Sequence, residues 1–253
     1  MTKDDVIFIT GATAGFGEAC ARKFAKDGAK LILLGRRKER LEKLAMELGC
    51  PTHLLPIDIR DRAKLEQVVR ELPKDFKNVT LLLNNAGLGL GMGPAHQANI
   101  DDWETMIATN ITALTTLTRL MLPGMVERKH GHVINMSSTA ASYPYPGGNV
   151  YGATKAFVTQ FSLNLRADLL GTGVRVTSIE PGMCLTEFSE VRFKGDKKAA
   201  DDVYRGMKPL SAQDIAETIY WCANQPAHVN INRIELMPTA QTFAFFAVHR
   251  KES

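Results

Sequence analysis

Six short apolar runs, separated by longer segments with helical period, constrain this chain more than any other feature. VIFIT (6–10), LILLG (31–35), THLLPID (52–58), VTLLLNN (79–85), HVINMSS (132–138) and VRVTSIE (174–180) have the length and near-continuous apolarity of strands buried on both faces. Among the intervening segments, GEACARKFAKDG, RKERLEKLAMELG and DRAKLEQVVREL repeat apolar residues every three to four positions, the period of a helix with one buried face. A tight hairpin cannot join parallel strands, so crossovers of this length predict parallel pairing, with helices covering the sheet above and below. The expected fold class is α/β: a single Rossmann-type doubly wound parallel sheet with helices on both faces. No linker, internal repeat or low-complexity tract breaks the pattern, so residues 1–253 are expected to form one domain.

Composition narrows the function classes. A 45% hydrophobic content is ample for a core, and 23% charged residues argues against disorder. The net charge of +4 comes from basic residues interleaved with acids, as in GRRKERLEKLAMELG (35–49). That is a solvated helix face and not a clustered footprint, so no nucleic-acid partner is expected. Cys20, Cys50, Cys184 and Cys222 form no CxxC pair and no metal-like spacing, which predicts reduced thiols. HGH (130–132) has no acid or cysteine close by and reads as turn residues, so no metal is assigned. The opening MTKDDVIFIT lacks the apolar region of a signal peptide, and no apolar stretch approaches the ~18 residues of a membrane span. A soluble, cytoplasmic protein with no membrane partner is expected.

TGATAGFGEA (10–19) joins the first strand to the first helix. Gly11 permits the tight turn, Gly15 lets backbone approach a pyrophosphate, and Gly17 lets the helix pack close to the sheet. The helix N-terminus then presents unpaired N–H groups to phosphate. A glycine-rich turn alone is weak evidence, but this one follows a strand and opens a helix, as a nucleotide site requires. NAD-preferring sites place an acid about twenty residues on, against the ribose hydroxyls. Here LLGRRK supplies Arg36 and Arg37, whose guanidinium groups would hold a 2′-phosphate that a carboxylate would repel. The expected cofactor is NADP; the other reading of the two arginines is an exposed helix start. Asp58, after the third strand, would accept from an adenine amino group or cap the next helix.

NNAG (84–87) ends the fourth strand, Asn110 lies in a helical pattern, Ser138 ends the fifth strand, and YGATK (151–155) sets a tyrosine four residues before a lysine. With TGxxxGxG at the start and Pro181-Gly182 after the sixth strand, these spaced motifs resemble the short-chain dehydrogenase/reductase family over essentially the whole chain. The resemblance implies a catalytic tetrad of Asn110, Ser138, Tyr151 and Lys155. It implies a cofactor along Gly11, Ala12, Thr13, Ala14, Gly15, Phe16 and Gly17, past Arg36, Arg37, Asp58 and Ile59, and against Asn85, Lys155, Pro181, Gly182 and Thr186. The chemistry needs such a set: a free tyrosine, with a pKa near 10, is a poor base at neutral pH. An ammonium one helical turn away and a positively charged nicotinamide would both favour phenolate, lowering that value toward the working range. Ser138 would hydrogen-bond the substrate oxygen. Asn110 would hold a water linking Lys155 to solvent.

The polar segment 183–210 follows the sixth strand, where strand carboxyl ends face the ligand crevice, and is read as a lid. TEFSEVRFKGD (186–196), PAHVNINRIELMP (226–238) and VHRKES at the end resemble the branch of the family that oxidises the 3-hydroxyl of serine, L-allo-threonine and 3-hydroxy acids. That substrate class needs a carboxylate partner, and Arg192 is the candidate beside Ser138 and Tyr151; a surface arginine is the alternative. Other readings are a broad carbonyl or diketone reductase and a catalytically silent dinucleotide-binding scaffold. RIELMP (233–238) reads as the last strand. Phe243, Phe245 and Phe246, in the tail 239–253, would form an exposed apolar cluster on a monomer, which predicts a homotetramer, the alternative being that they fold back onto their own chain.

Overall fold

The computed structural model describes residues 1–243 and Val248. The strands are β1 (Val6–Thr10), β2 (Lys30–Leu34), β3 (Thr52–Leu55), β4 (Leu81–Asn84), β5 (Gly131–Met136), β6 (Val174–Pro181), β7 (Cys184–Leu185), β8 (Leu210–Ser211) and β9 (Arg233–Leu236). The helices are α1 (Gly15–Ala25), α2 (Lys38–Leu48), α3 (Arg62–Arg70), α4 (Ile100–Ile107), α5 (Leu114–Glu127), α6 (Asn149–Asp168), α7 (Glu187–Arg192), α8 (Lys197–Asp202) and α9 (Ala212–Ala223). Seven strands form one sheet in the order β3-β2-β1-β4-β5-β6-β9, every neighbouring pair parallel. The expected doubly wound sheet is what the chain builds.

Alternate residues of each strand enter two cores, because side chains on a strand point to opposite faces. Ile7 and Ile9 pack with Leu31, Leu33, Phe24 of α1 and Ile219 of α9. Val6 and Phe8 pack on the other side with Ile32, Leu82, Leu117 of α5 and Leu165 of α6. β3 stops at Leu55 because Pro56 has no N–H to donate to the ladder. The predicted lid holds two short helices, α7 and α8, and its ends pair as the parallel ladder β7–β8, which the sequence did not announce.

HGH is not a turn throughout. His132 lies in β5 and is buried, its Nε2 sharing a hydrogen bond of 2.8 Å with Thr177 Oγ1. The strand begins one residue before the apolar run, at Gly131, which pairs with Val174 of β6. Burial, and then the charge of Arg175, hold this imidazole well below its ordinary value of 6.5. The folded chain therefore binds fewer protons than the unfolded chain once pH falls below 6.5, and stability present above that value is lost on acidification. Between pH 7 and pH 5 the parent should lose more unfolding free energy than a His132→Gln variant, measured by urea denaturation.

Candidate active site

Strand order reverses between β1 and β4, and a crevice opens there at the strands' carboxyl ends. The turn after β1 needs glycine at two positions, since Gly11 and Gly15 have φ of +67° and +55°. Gly17 serves close packing: a Cβ on it would lie 2.3 Å from the Gly11 carbonyl oxygen. Asn85 braces this turn from β4, its Nδ2 donating to the Thr10 and Gly11 carbonyls at 2.9 and 3.2 Å. The α1 N-cap, Ala14, makes no side-chain hydrogen bond, so the first N–H groups of that helix have no side-chain cap. They border a cavity of about 410 Å³ that reaches from the glycine turn past Arg36 and Ile59 to Ser138, Tyr151 and Lys155. An elongated nucleotide cofactor fits this set: uncapped amides for a pyrophosphate, guanidinium groups at one end and a buried phenol at the other.

Two residues expected on the cofactor stand behind it. Ala12 is fully buried in the core, with its N–H donating to Leu34 O at 3.1 Å, and neither it nor Gly17 lines the cavity. Thr13, Ala14, Phe16, Pro181, Gly182 and Thr186 do line it. Thr186 also caps α7 by accepting from the Phe188 N–H. Asp58 lines the cavity but neither caps a helix nor stands alone. Its carboxylate pairs with Arg60 at 2.6 Å, and that guanidinium holds it below the usual carboxylate range. Asp61 caps α3 instead, accepting from the Lys64 N–H.

The two arginines divide. Arg37 donates through Nε and Nη2 to Thr13 Oγ1 at 3.2 and 3.0 Å and through Nη1 to Glu187 at 2.9 Å. Arg40 grips the other oxygen of Glu187 at 2.7 Å. Arg36 lines the cavity, its charge acting on Asp58. Sequence reasoning missed Glu187, because its partners lie some 150 positions away and no local pattern marks the pairing.

Tyr151 and Lys155 sit in the first turns of α6, and both are buried. Lys155 Nζ donates to Met136 O at 2.8 Å and lies 5.8 Å from the Tyr151 ring centroid. Burial pushes Tyr151 up to about 12, while the charge of Arg192 and a hydrogen bond with Ser138 pull the other way. Burial, joined by repulsion from Arg192, brings Lys155 down to about 8. Asn110 occupies a π-type turn, residues 108–113, between α4 and α5. Its side chain is engaged by protein: Oδ1 accepts from Leu88 N at 2.9 Å, and Nδ2 donates to Leu88 O at 2.8 Å and Thr154 Oγ1 at 3.0 Å. It thus holds the segment after β4 against α6. Gly87 lies in that segment, where a Cβ would come within 3.3 Å of both Asn110 Oδ1 and Lys155 Nζ.

Arg192 comes from α7 onto the same spot. Its guanidinium carbon lies 4.6 Å from the Tyr151 ring centroid and 4.8 Å from that of Phe188, and its Nε is buried with no hydrogen-bond partner. The surface alternative for this arginine is therefore excluded. Tyr143 and Tyr145 close the cavity from the loop before α6, and Phe188, Tyr204 and Gln241 from beyond β6. None of these was singled out from the sequence, although SYPYPGG (142–148), an aromatic and proline-rich loop beside Tyr151, was a usable signal. Phe243 is 66% exposed with its ring centroid 5.6 Å from that of Tyr143. Phe245 and Phe246 lie outside the described residues.

The short chain dehydrogenase family model matches residues 5–197. The chain belongs to the short-chain dehydrogenase family. Within it, the NADP-dependent 3-hydroxy acid dehydrogenase YdfG of Escherichia coli (strain K12) is 55% identical over 97% of this chain and 100% of its own length. The serine 3-dehydrogenase of Agrobacterium fabrum is 56% identical over 97% of this chain and 98% of its own. Among solved structures, the closed form of a serine dehydrogenase complexed with NADP+ superposes with a TM-score of 0.93 at 55% identity, covering 97% of this chain and 100% of that one.

The electrostatics of Lys155 give a stability test for this short-chain dehydrogenase. Its pKa of about 8 lies below the ordinary 10.5, so at neutral pH the fold carries a buried charge whose cost is relieved as pH rises from about 8 to about 10.5. Lys155→Met should remove a cost of about 3 kcal/mol and lose a hydrogen bond worth about 1 kcal/mol. At pH 7 the variant should be inactive yet melt higher than the parent, with the difference crossing zero at pH ~9.5 and reversed by about pH 10.5.

Proposed function

We propose that this protein is an NADP-dependent oxidoreductase that interconverts the 3-hydroxyl of small hydroxy acids with the matching semialdehyde or ketone. Serine, L-allo-threonine and 3-hydroxy acids are the substrate class. The observation that carries the reading is the guanidinium of Arg192 lying 4.6 Å from the Tyr151 ring inside the cavity. In a 3-hydroxy acid a single carbon separates the carboxylate carbon from the carbinol carbon. An anchor for the first must then stand close to the proton-transfer group for the second, and Arg192 does. The names of the E. coli and Agrobacterium relatives support the same class.

Arg36 and Arg37 near the adenosine end, with no acid at 34–37, support NADP over NAD. Gly11, Gly15 and the α1 N-terminus would hold the pyrophosphate, and Lys155 the nicotinamide ribose. When bound, the nicotinamide supplies the electron pair's donor or acceptor at the carbinol carbon. Tyr151 then moves the proton at its phenol oxygen. With a pKa near 12 that oxygen is protonated at neutral pH, set to donate during carbonyl reduction. Ser138, hydrogen-bonded to Tyr151, orients the substrate oxygen and stabilises charge on it. Arg192 holds the carboxylate and its charge favours the phenolate that alcohol oxidation needs, so oxidation should climb with pH while reduction prevails near neutrality. Asn110 positions Lys155 by clamping the Leu88 backbone against α6, and residues 183–210 act as the lid over the substrate.

NADP+ reduction should be followed across serine, both threonine epimers, 3-hydroxypropionate and 3-hydroxyisobutyrate, with NAD+ in parallel. Turnover of these acids with NADP+ well above NAD+ is expected, and Tyr151→Phe should cost about 10³-fold in kcat. Faster turnover of uncharged alcohols than of every acid would favour the carbonyl reductase instead.

The cell compartment in this reading is the cytoplasm; among the described residues no helix is long and apolar enough to cross a membrane. The assembly is a homotetramer, which the exposed Phe243 supports. Sedimentation at four times the chain mass is expected, and a monomer would remove this part of the proposal.

A further inference from the structure

The segment GLGLGMG (87–93) carries a glycine at every second position and plays no part in the nucleotide turn. It runs between the end of β4 and α4, and it is the surface on which the C-terminal end of α7 rests. The Gly91 N–H donates to Arg192 O at 3.1 Å, and Lys194 Nζ, just past the helix, pairs with Asp102 of α4 at 2.8 Å. Between these two attachments the Arg192 side chain turns inward and crosses Gly89. A Cβ on Gly89 would lie 2.7 Å from Arg192 Nη2, 3.0 Å from its Nε and 3.0 Å from Phe188 Cζ. Those are the two side chains stacked on Tyr151.

We propose that Gly89 is a specificity-determining positioning residue: its bare Cα is the seat that lets the Arg192 guanidinium lie against Tyr151 and meet a substrate carboxylate. The backbone at 89 does not need glycine for its own sake, since its φ is not positive, whereas Gly91 sits at +71°. The atoms a methyl group would strike are the far ends of flexible side chains and not backbone. An alanine at 89 should accordingly leave the fold intact and displace the arginine. The inference rests on the reading of Arg192 as carboxylate anchor, and it adds the residue that decides whether that anchor can be in place.

The test is a double-mutant cycle of Gly89→Ala and Arg192→Ala, with NADPH binding by fluorescence titration and melting temperature as controls for an intact fold. Each variant is assayed with serine and with an uncharged secondary alcohol. Gly89→Ala should raise KM for serine at least tenfold over its effect on the uncharged alcohol, leave the NADPH Kd within twofold, and add nothing in the Arg192→Ala background. With the uncharged alcohol, both single variants should shift the pH profile of oxidation to higher pH, because both remove a positive charge from beside the phenol. A Gly89→Ala variant that keeps the parent's serine preference and pH profile, while Arg192→Ala loses them, would overturn the seat and leave the anchor standing. Equal losses for serine and the alcohol in Arg192→Ala, with pH shifts that the two variants share and that do not add, would remove the anchor and keep the seat. Additive effects of the two substitutions on every readout would remove the seat whatever Arg192 does.

Discussion

A phenol buried away from water is the constraint around which the rest of this molecule is arranged. Burial alone makes Tyr151 a weak acid, and reversible proton transfer near neutrality requires positive charge brought to it from elsewhere. One cation comes from its own helix and is itself weakened by burial, so Lys155 cannot do the work alone. The second, Arg192, arrives from a segment outside the central sheet. Burial and positive charge thus act in opposite directions on Tyr151: burial prevails, and the arginine on α7 offsets part of it.

That dependence gives the α7 segment a structural meaning. Its first residue, Glu187, is gripped by Arg37 and Arg40 beside the glycine turn, while its last, Arg192, lies on Tyr151. A six-residue helix spans the two ends. The pairs with Glu187 are partly exposed and individually weak.

Much of the sheet was legible because its signal is local. β1 was read to the residue and the other strands of the sheet to within three, since a strand buried on both faces is a continuous apolar run bounded by turn residues. The glycine turn and the Tyr151–Lys155 pair were legible for a related reason: each lies within a few consecutive residues whose spacing is dictated by a turn or by one turn of helix. Failures occurred where the partner is distant. Asp58 is the short-range exception: its carboxylate pairs with Arg60 two residues on, and the cap falls to Asp61. Asn110 was read for a water, and the fold adds a role no spacing announces: its amide ties Leu88 to Thr154 of α6. His132 looked like a turn residue until Thr177 on the adjacent strand gave it a buried partner.

The sequence by itself determined the alternation of strand and helix, the glycine-rich turn and the placing of Tyr151 one helical turn before Lys155, because period, turn chemistry and i,i+4 spacing are properties of neighbouring residues. Tertiary structure alone decided the direction in which the phenol's acidity is displaced, the seating of Arg192 across Gly89, and the bond between Glu187 and the two arginines. Each of those depends on desolvation or on contact between segments far apart in the chain. Neither quantity exists until the sheet has brought the segments together and excluded water between them.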